Sequence, residues 1–143
     1  MRIVGIIPAR MGSSRYPGKP METIHNMPMI GHCYHRTALS LGAENTYVAT
    51  CDTEIYEYIL SIGGKAIMTA NTHTRATTRT AEALEKIEVQ IDEKIDVVIM
   101  VQGDEPLIQP NTISETVLYF QDQQVNIVNI MSRLQTKDAF EDV

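Results

Sequence analysis

Short apolar runs alternate with stretches of helical periodicity along the whole 143-residue chain, and that rhythm restricts the possible folds more than any other feature. Ile3 to Ile7 is the first run. Ile30, Tyr34, Ala38 and Leu41 then recur at helical spacing, with Gly42 as a C-cap. Tyr47 to Thr50 reads as a strand. Asp52 is placed to N-cap a helix whose stripe is Ile55, Tyr58, Ile59 and Ile62, and Gly63-Gly64 stops it. Lys65 to Met68 reads as a third strand. After a Thr-rich loop comes a helix carrying Ala81, Leu84 and Ile87. Val97-Val98-Ile99-Met100-Val101 is apolar without alternation, as expected of a central parallel strand covered on both faces. Pro110 suits the first turn of a helix through Ile113, Val117 and Phe120, and Asn126 to Met131 supplies a fifth strand. Strands and helices in this order predict an α/β fold, a doubly wound, mostly parallel sheet with helices on both faces. The length is that of one domain, residues 1–143, with no repeat or interdomain linker.

In such sheets, ligands bind outside the carboxyl ends of the strands. Two loops fall there with chemistry to offer. The first strand feeds into Pro8-Ala9-Arg10-Met11-Gly12-Ser13-Ser14-Arg15-Tyr16-Pro17-Gly18-Lys19-Pro20, a loop with three cations. Gly12 and Gly18 give access to left-handed backbone angles, and the prolines keep the loop from becoming helix. Backbone amides and point charges together suit a polyphosphate. The chain as a whole carries a net charge of −6, so the clustered cations favour a small anionic ligand over a nucleic acid.

The second loop is Gln102-Gly103-Asp104-Glu105-Pro106, after the Val97 run. Asp104 should lie at the sheet's carboxyl edge, where a carboxylate suits Mg²⁺, an ion held by one or two carboxylates plus phosphate oxygens and water. A Gly-Asp pair also has a plain explanation as a turn. Opposite a cationic loop, the metal reading is the better one. Cys33 and Cys51 are too few for a disulfide framework or a zinc site, which points to a reduced, cytoplasmic setting. The first apolar run is broken too early for a signal peptide, and no run is long enough to span a bilayer. The first loop lacks Gly-x-Gly-x-x-Gly spacing, which disfavours a dehydrogenase.

The basic loop together with Val101-Gln102-Gly103-Asp104-Glu105-Pro106-Leu107-Ile108 resembles the 3-deoxy-manno-octulosonate (Kdo) cytidylyltransferases, part of a wider group that includes the acylneuraminate cytidylyltransferases. The likeness continues through Lys19-Pro20, Pro28-Met29-Ile30, Val48-Ala49-Thr50 with Asp52, and Gly63-Gly64. The resemblance implies a nucleotide-diphospho-sugar transferase-like fold. It implies that Pro8, Ala9, Arg10, Gly12, Ser13 and Ser14 hold the nucleotide, with Arg10 and Lys19 on the triphosphate of CTP. Gln102 borders the cytidine site, and Asp104 corresponds to a magnesium ligand. Relatives read His-x-Ser-Gly-Thr-Glu-Arg where this chain has His73-Thr74-Arg75-Ala76-Thr77-Thr78-Arg79. Thr77 and Arg79 keep the pattern and join the nucleotide site. Arg75, Ala76 and Thr78 depart from it, which implies a shifted specificity. His73 reads as a loop histidine. Relatives also continue well past this length, with a second metal-binding acid and dimer contacts further on, so the chain is expected to be a fragment or a truncated member.

The reaction implied is transfer of CMP from CTP to a 2-keto sugar acid with release of pyrophosphate, in lipopolysaccharide or surface-sugar synthesis. Arg10, Lys19 and Asp104 would be the catalytic group, with Mg²⁺ as cofactor. CTP and the sugar acid would be its partners, with no nucleic acid or membrane, and with a homodimer where the full-length chain is present. Two alternatives stand beside it: a nucleotide-binding module without turnover, and a cytidylyltransferase for an acylneuraminate-like acid.

Overall fold

The computed structural model describes residues 1–12 and 15–133. In chain order these form β1 (Ile3–Ala9), a hairpin of β2 (Thr23–Ile24) and β3 (Met27–Pro28), and α1 (Met29–Leu41). There follow β4 (Thr46–Thr50), α2 (Thr53–Ser61), β5 (Lys65–Met68), α3 (Ala76–Ile91), β6 (Val97–Met100) and α4 (Pro110–Leu118). The main sheet has the order β5-β4-β1-β6 and every pairing in it is parallel. Ala9 pairs with Thr50 and Thr50 with Met68, so three strand ends finish level at one edge.

The pleat divides the core between two faces. Ile7, Ala9, Val48 and Ile99 meet Ile30 and Tyr34 of α1, Ile55 and Ile59 of α2, and Ile113 of α4. Val4, Ile6, Tyr47, Ala49 and Ile67 point the other way, onto Ala83 and Ile87 of α3. Ile6, Ile7, Ile55, Ile59 and Ile87 are entirely excluded from solvent. Each such side chain contributes roughly 1.5–3 kcal/mol relative to exposure. Helices therefore cover both faces of a parallel sheet, as the alternation predicts.

Four expectations are corrected. β6 is an edge strand among the described residues, pairing only with β1. An unbroken apolar run reports that both faces are covered, not that both edges are paired. Segment 126–131 forms no strand, and Ile127, Ile130 and Met131 stand 79%, 57% and 89% exposed. Apolar and β-branched residues do not make a strand without a neighbour for their amides. Of the stripe expected on α3, Ile87 is buried and Leu84 packs half-buried against the same cluster, but Ala81 faces solvent, and Arg79, Thr80 and Ala83 are the other buried positions. Asp52 does flank α2, but its side chain makes no capping bond, being engaged elsewhere. Among the described residues no helix is long and apolar enough to cross a membrane.

Candidate functional site

The carboxyl edge of the sheet opens into a cleft of about 740 Å³. Its floor is the end of β1, at Pro8 and Ala9, continuing into Arg10. Two backbone amides help to tie the loop beyond. The Met11 amide donates to Asp52 Oδ2 at 2.8 Å, and the Gly18 amide donates to the Met11 carbonyl at 2.8 Å. That is where the Asp52 carboxylate is spent: it anchors the loop of the neighbouring strand instead of capping its own helix. Gly18 has φ +77°, the left-handed conformation glycine makes cheap. Gly12 does not take a positive φ, so only one of the two glycines serves in the expected way.

The β6 exit loop forms one wall. A Cβ on Gly103 would come within 2.7 Å of the Pro8 carbonyl oxygen, so glycine is what allows this loop to lie against the end of β1. Cys33 Sγ donates to the Gly103 carbonyl at 3.4 Å from beneath. Burial pushes the Cys33 thiol up to about 11, which makes it a poor nucleophile. Lys19 Nζ reaches across to Asp104 Oδ2 at 3.0 Å, with the two side chains 43% and 53% exposed. The cation and the carboxylate expected at the site are therefore paired with each other.

The loop after β5 forms the opposite wall, with His73, Thr74, Arg75 and Arg79 facing the cleft. Arg79 is buried, and its guanidinium donates to Thr69 Oγ1 at 2.5 Å and to the Ala70 and His73 carbonyls at 3.3 and 3.5 Å. It acts as a staple for the wall. Glu82 completes the arrangement, accepting from His73 Nε2, from the Ala70 amide and from Lys86 Nζ at 2.6 Å. These contacts, Lys86 first and His73 second, hold the Glu82 carboxyl at about 2. His73 is thus committed to the loop that carries it.

Of the residues expected from sequence, Pro8, Ala9, Arg10, Lys19, Arg79, Gln102 and Asp104 share this cleft. Gly12 and Thr77 are exposed outside its lining, and Ser13 and Ser14 lie outside the described residues. Sequence reasoning missed the β2–β3 hairpin, which brings Ile24 to the rim, with Glu22 just before it and Met29 just after. Its turn residues His25 and Asn26 have φ +47° and +65°, both positive as a tight I′ hairpin turn requires. His32 Nε2 donates to the Ile24 carbonyl at 2.7 Å and fixes the hairpin to α1. The tolerance of Asn26 for left-handed angles was the available signal.

The lining carries five basic residues, Arg10, Arg15, Lys19, Arg75 and Arg79, against two carboxylates, Glu22 and Asp104, in a chain of net charge −6. A cleft of that sign at a parallel sheet's carboxyl edge attracts anions. Asp104 is an exposed oxygen donor of the kind Mg²⁺ takes, and no group of three metal-binding side chains occurs among the described residues. An ion here would need substrate oxygens and water to complete its shell.

Comparison with known proteins decides the family: the cytidylyltransferase family model matches residues 4–142. The chain is a member of the cytidylyltransferase family. An 8-amino-3,8-dideoxy-manno-octulosonate cytidylyltransferase of Shewanella sp. (strain W3-18-1) is 43% identical over 123 residues, 86% of this chain and 49% of that protein. A 3-deoxy-manno-octulosonate cytidylyltransferase of Thermodesulfovibrio yellowstonii is 38% identical over 142 residues, 98% of this chain and 56% of that protein. Among solved structures, a CMP:2-keto-3-deoxy-manno-octonic acid synthetase complexed with CTP matches with a TM-score of 0.77 and 40% identity, covering 85% of this chain and 48% of that one. The chain spans about half the length of the curated cytidylyltransferases it matches.

Proposed function

We propose that this protein transfers the CMP group of CTP to a 2-keto sugar acid of the 3-deoxy-manno-octulosonate class, releasing pyrophosphate. The observation that carries the reading is one cleft lined by Arg10, Arg15, Lys19 and Asp104, with Lys19 paired to Asp104. The CTP bound to the similar synthetase structure supports the choice of nucleotide. A sugar hydroxyl oxygen bonds to the α-phosphorus and gives up its proton to water as the bond to pyrophosphate breaks. Such a displacement asks the protein chiefly to position the reactants and to balance charge. Arg10, Arg15 and Lys19 take the phosphate oxygens, and the Gly103 turn holds Gln102 and Asp104 beside them. Asp104 would hold Mg²⁺, which supplies further neutralisation of the leaving pyrophosphate.

The test is pyrophosphate release with CTP, Mg²⁺ and a panel holding 3-deoxy-manno-octulosonate, its 8-amino analogue and an acylneuraminate. Release dependent on either octulosonate is expected. CTP binding with no release on any acid would select a nucleotide-binding module instead. Release with the acylneuraminate alone would move the chain to that branch.

A further inference from the structure

The loop that carries Asp104 is built from two successive turns. The Glu105 amide donates to the Gln102 carbonyl at 3.2 Å, and the Ile108 amide donates to the Glu105 carbonyl at 3.2 Å. Asp104 stands third in the first turn. Turns of this kind leave some carbonyls without a backbone donor, and neighbouring side chains or water must then supply one. Two of these donors come from α1.

Three side chains of α1 reach across in a row. Cys33 Sγ donates to the Gly103 carbonyl at 3.4 Å, and Arg36 Nη1 donates to the Ile108 carbonyl at 3.2 Å. Ser40 Oγ meets Ser114 Oγ of α4 at 2.8 Å. Steps of three and four residues put all three on one helical face. One turn earlier on that face, Ile30 packs beneath Gly103, its Cδ1 3.6 Å from where a Cβ would lie. The row therefore follows the chain from Gly103 into α4 and takes one carbonyl from each turn. With the Pro8 carbonyl close on its other side, the Gly103 peptide is held between β1 and α1.

Neither Cys33 nor Arg36 is among the described residues that line the cleft. Cys33 is entirely excluded from solvent, and Arg36 is half-buried. Among the described residues Arg36 makes no ion pair, so its charge is directed at the Ile108 carbonyl. Both side chains thus act on the backbone around Asp104 and not on a ligand.

Resting on the cytidyl-transfer reading, we propose that Cys33 and Arg36 are positioning residues for Asp104, fixing its loop so that the carboxylate meets the divalent cation carried by the nucleotide. A site with one protein carboxylate makes this necessary. The ion takes its other ligands from phosphate and water, so the place of the carboxylate decides whether it joins them. Partners behind a ligand tune metal affinity even though they never touch the metal.

The experiment is calorimetry of CTP with and without Mg²⁺ on the wild type, Asp104→Asn, Arg36→Ala, Arg36→Lys and Cys33→Ala. The ratio of the two affinities is the gain from the metal. Arg36→Ala should cut that gain by roughly three- to tenfold, the worth of one hydrogen bond, while affinity without Mg²⁺ moves by no more than about twofold. Cys33→Ala should cut it by about twofold to threefold, a thiol being the weaker donor. Arg36→Lys, which keeps an N–H donor, should retain part of the gain, and it reads the same quantity if Arg36→Ala fails to fold. Hydrogen exchange of the ligand-free protein should show the Ile108 amide opening faster in Arg36→Ala. An unchanged gain in either alanine variant, with Asp104→Asn abolishing it, overturns the role of that residue and leaves the cytidyl-transfer reading standing. Equal losses with and without Mg²⁺ would make α1 a prop for the whole cleft and overturn the assignment too. Failure of the wild type to bind CTP overturns the cytidyl-transfer reading and this inference with it.

Discussion

Lys19 and Asp104 each act as the other's placeholder while the cleft holds no substrate. An exposed ion pair of this kind is worth about 0–1 kcal/mol, so it is easily exchanged. Under the proposed function a phosphate would offer Lys19 a more strongly charged partner, and the exchange would free Asp104 for a cation. Nucleotide and Mg²⁺ should therefore bind cooperatively, each weak without the other. Lys19→Ala is expected to weaken CTP binding by roughly 1.5–3 kcal/mol, the worth of a charge-assisted contact, yet to strengthen binding of Mg²⁺ alone. Asp104→Asn should leave the melting temperature nearly unchanged and remove the dependence of CTP affinity on Mg²⁺. Calorimetry of both variants with each ligand separately is the measurement. Weaker Mg²⁺ binding in Lys19→Ala would show that the pair is not a competitor for the ion. None of this exchange was legible in the sequence. The two residues could be nominated from their loops, but a contact between positions 85 apart depends on how β1 and β6 pair.

At the scale of elements, the order of strands and helices was readable because each apolar run is short and each helical stripe is bounded by Gly, Pro or a polar loop. What periodicity reports is the covering of faces, and its failures follow from that. It cannot say whether an apolar strand such as β6 has one neighbour or two, and it counted 126–131 as a strand on composition alone. Asp52 shows the same limit for caps. Its place before α2 is right for an N-cap, but its oxygen is taken by the Met11 amide, 41 residues away, a tertiary competitor that no local pattern records. The consequence is testable. Asp52→Ala removes no capping bond and should leave α2 intact. It deprives the loop after β1 of its tie to Asp52, so protection of the Met11 amide against hydrogen exchange should fall. Nucleotide affinity should drop by on the order of tenfold, because the loop must then be ordered on binding. Loss of α2 protection with the loop unchanged would restore the capping role and refute the anchoring one.

Across the whole molecule, the two core faces fix the sheet, and the polar cluster around Glu82 fixes the cleft's outer wall to it. Glu82 of α3 holds the Ala70 amide and His73, while Lys86 bonds both Glu82 and the Met68 carbonyl at the end of β5. One carboxylate thus links a helix on one face to the loop that closes the ligand site, and its ionisation couples site geometry to global stability. Its folded value of about 2 lies below the ordinary 4.5, so the folded state binds the proton less readily than the unfolded chain. The sign follows from linkage: the stabilisation is complete above about 4.5, declines as pH falls and is gone once pH passes below about 2. Chemical denaturation of the wild type and Glu82→Gln from pH 7 to pH 2 should give curves well apart at neutral pH that converge in acid, with the variant losing the steepest part of the acid limb. Because the amide still accepts a hydrogen bond but carries no charge, the variant should fold. Its wall should be looser even at pH 7, seen as faster exchange of the Ala70 amide. Parallel pH curves for the two proteins would mean that the Glu82 cluster contributes nothing through its charge.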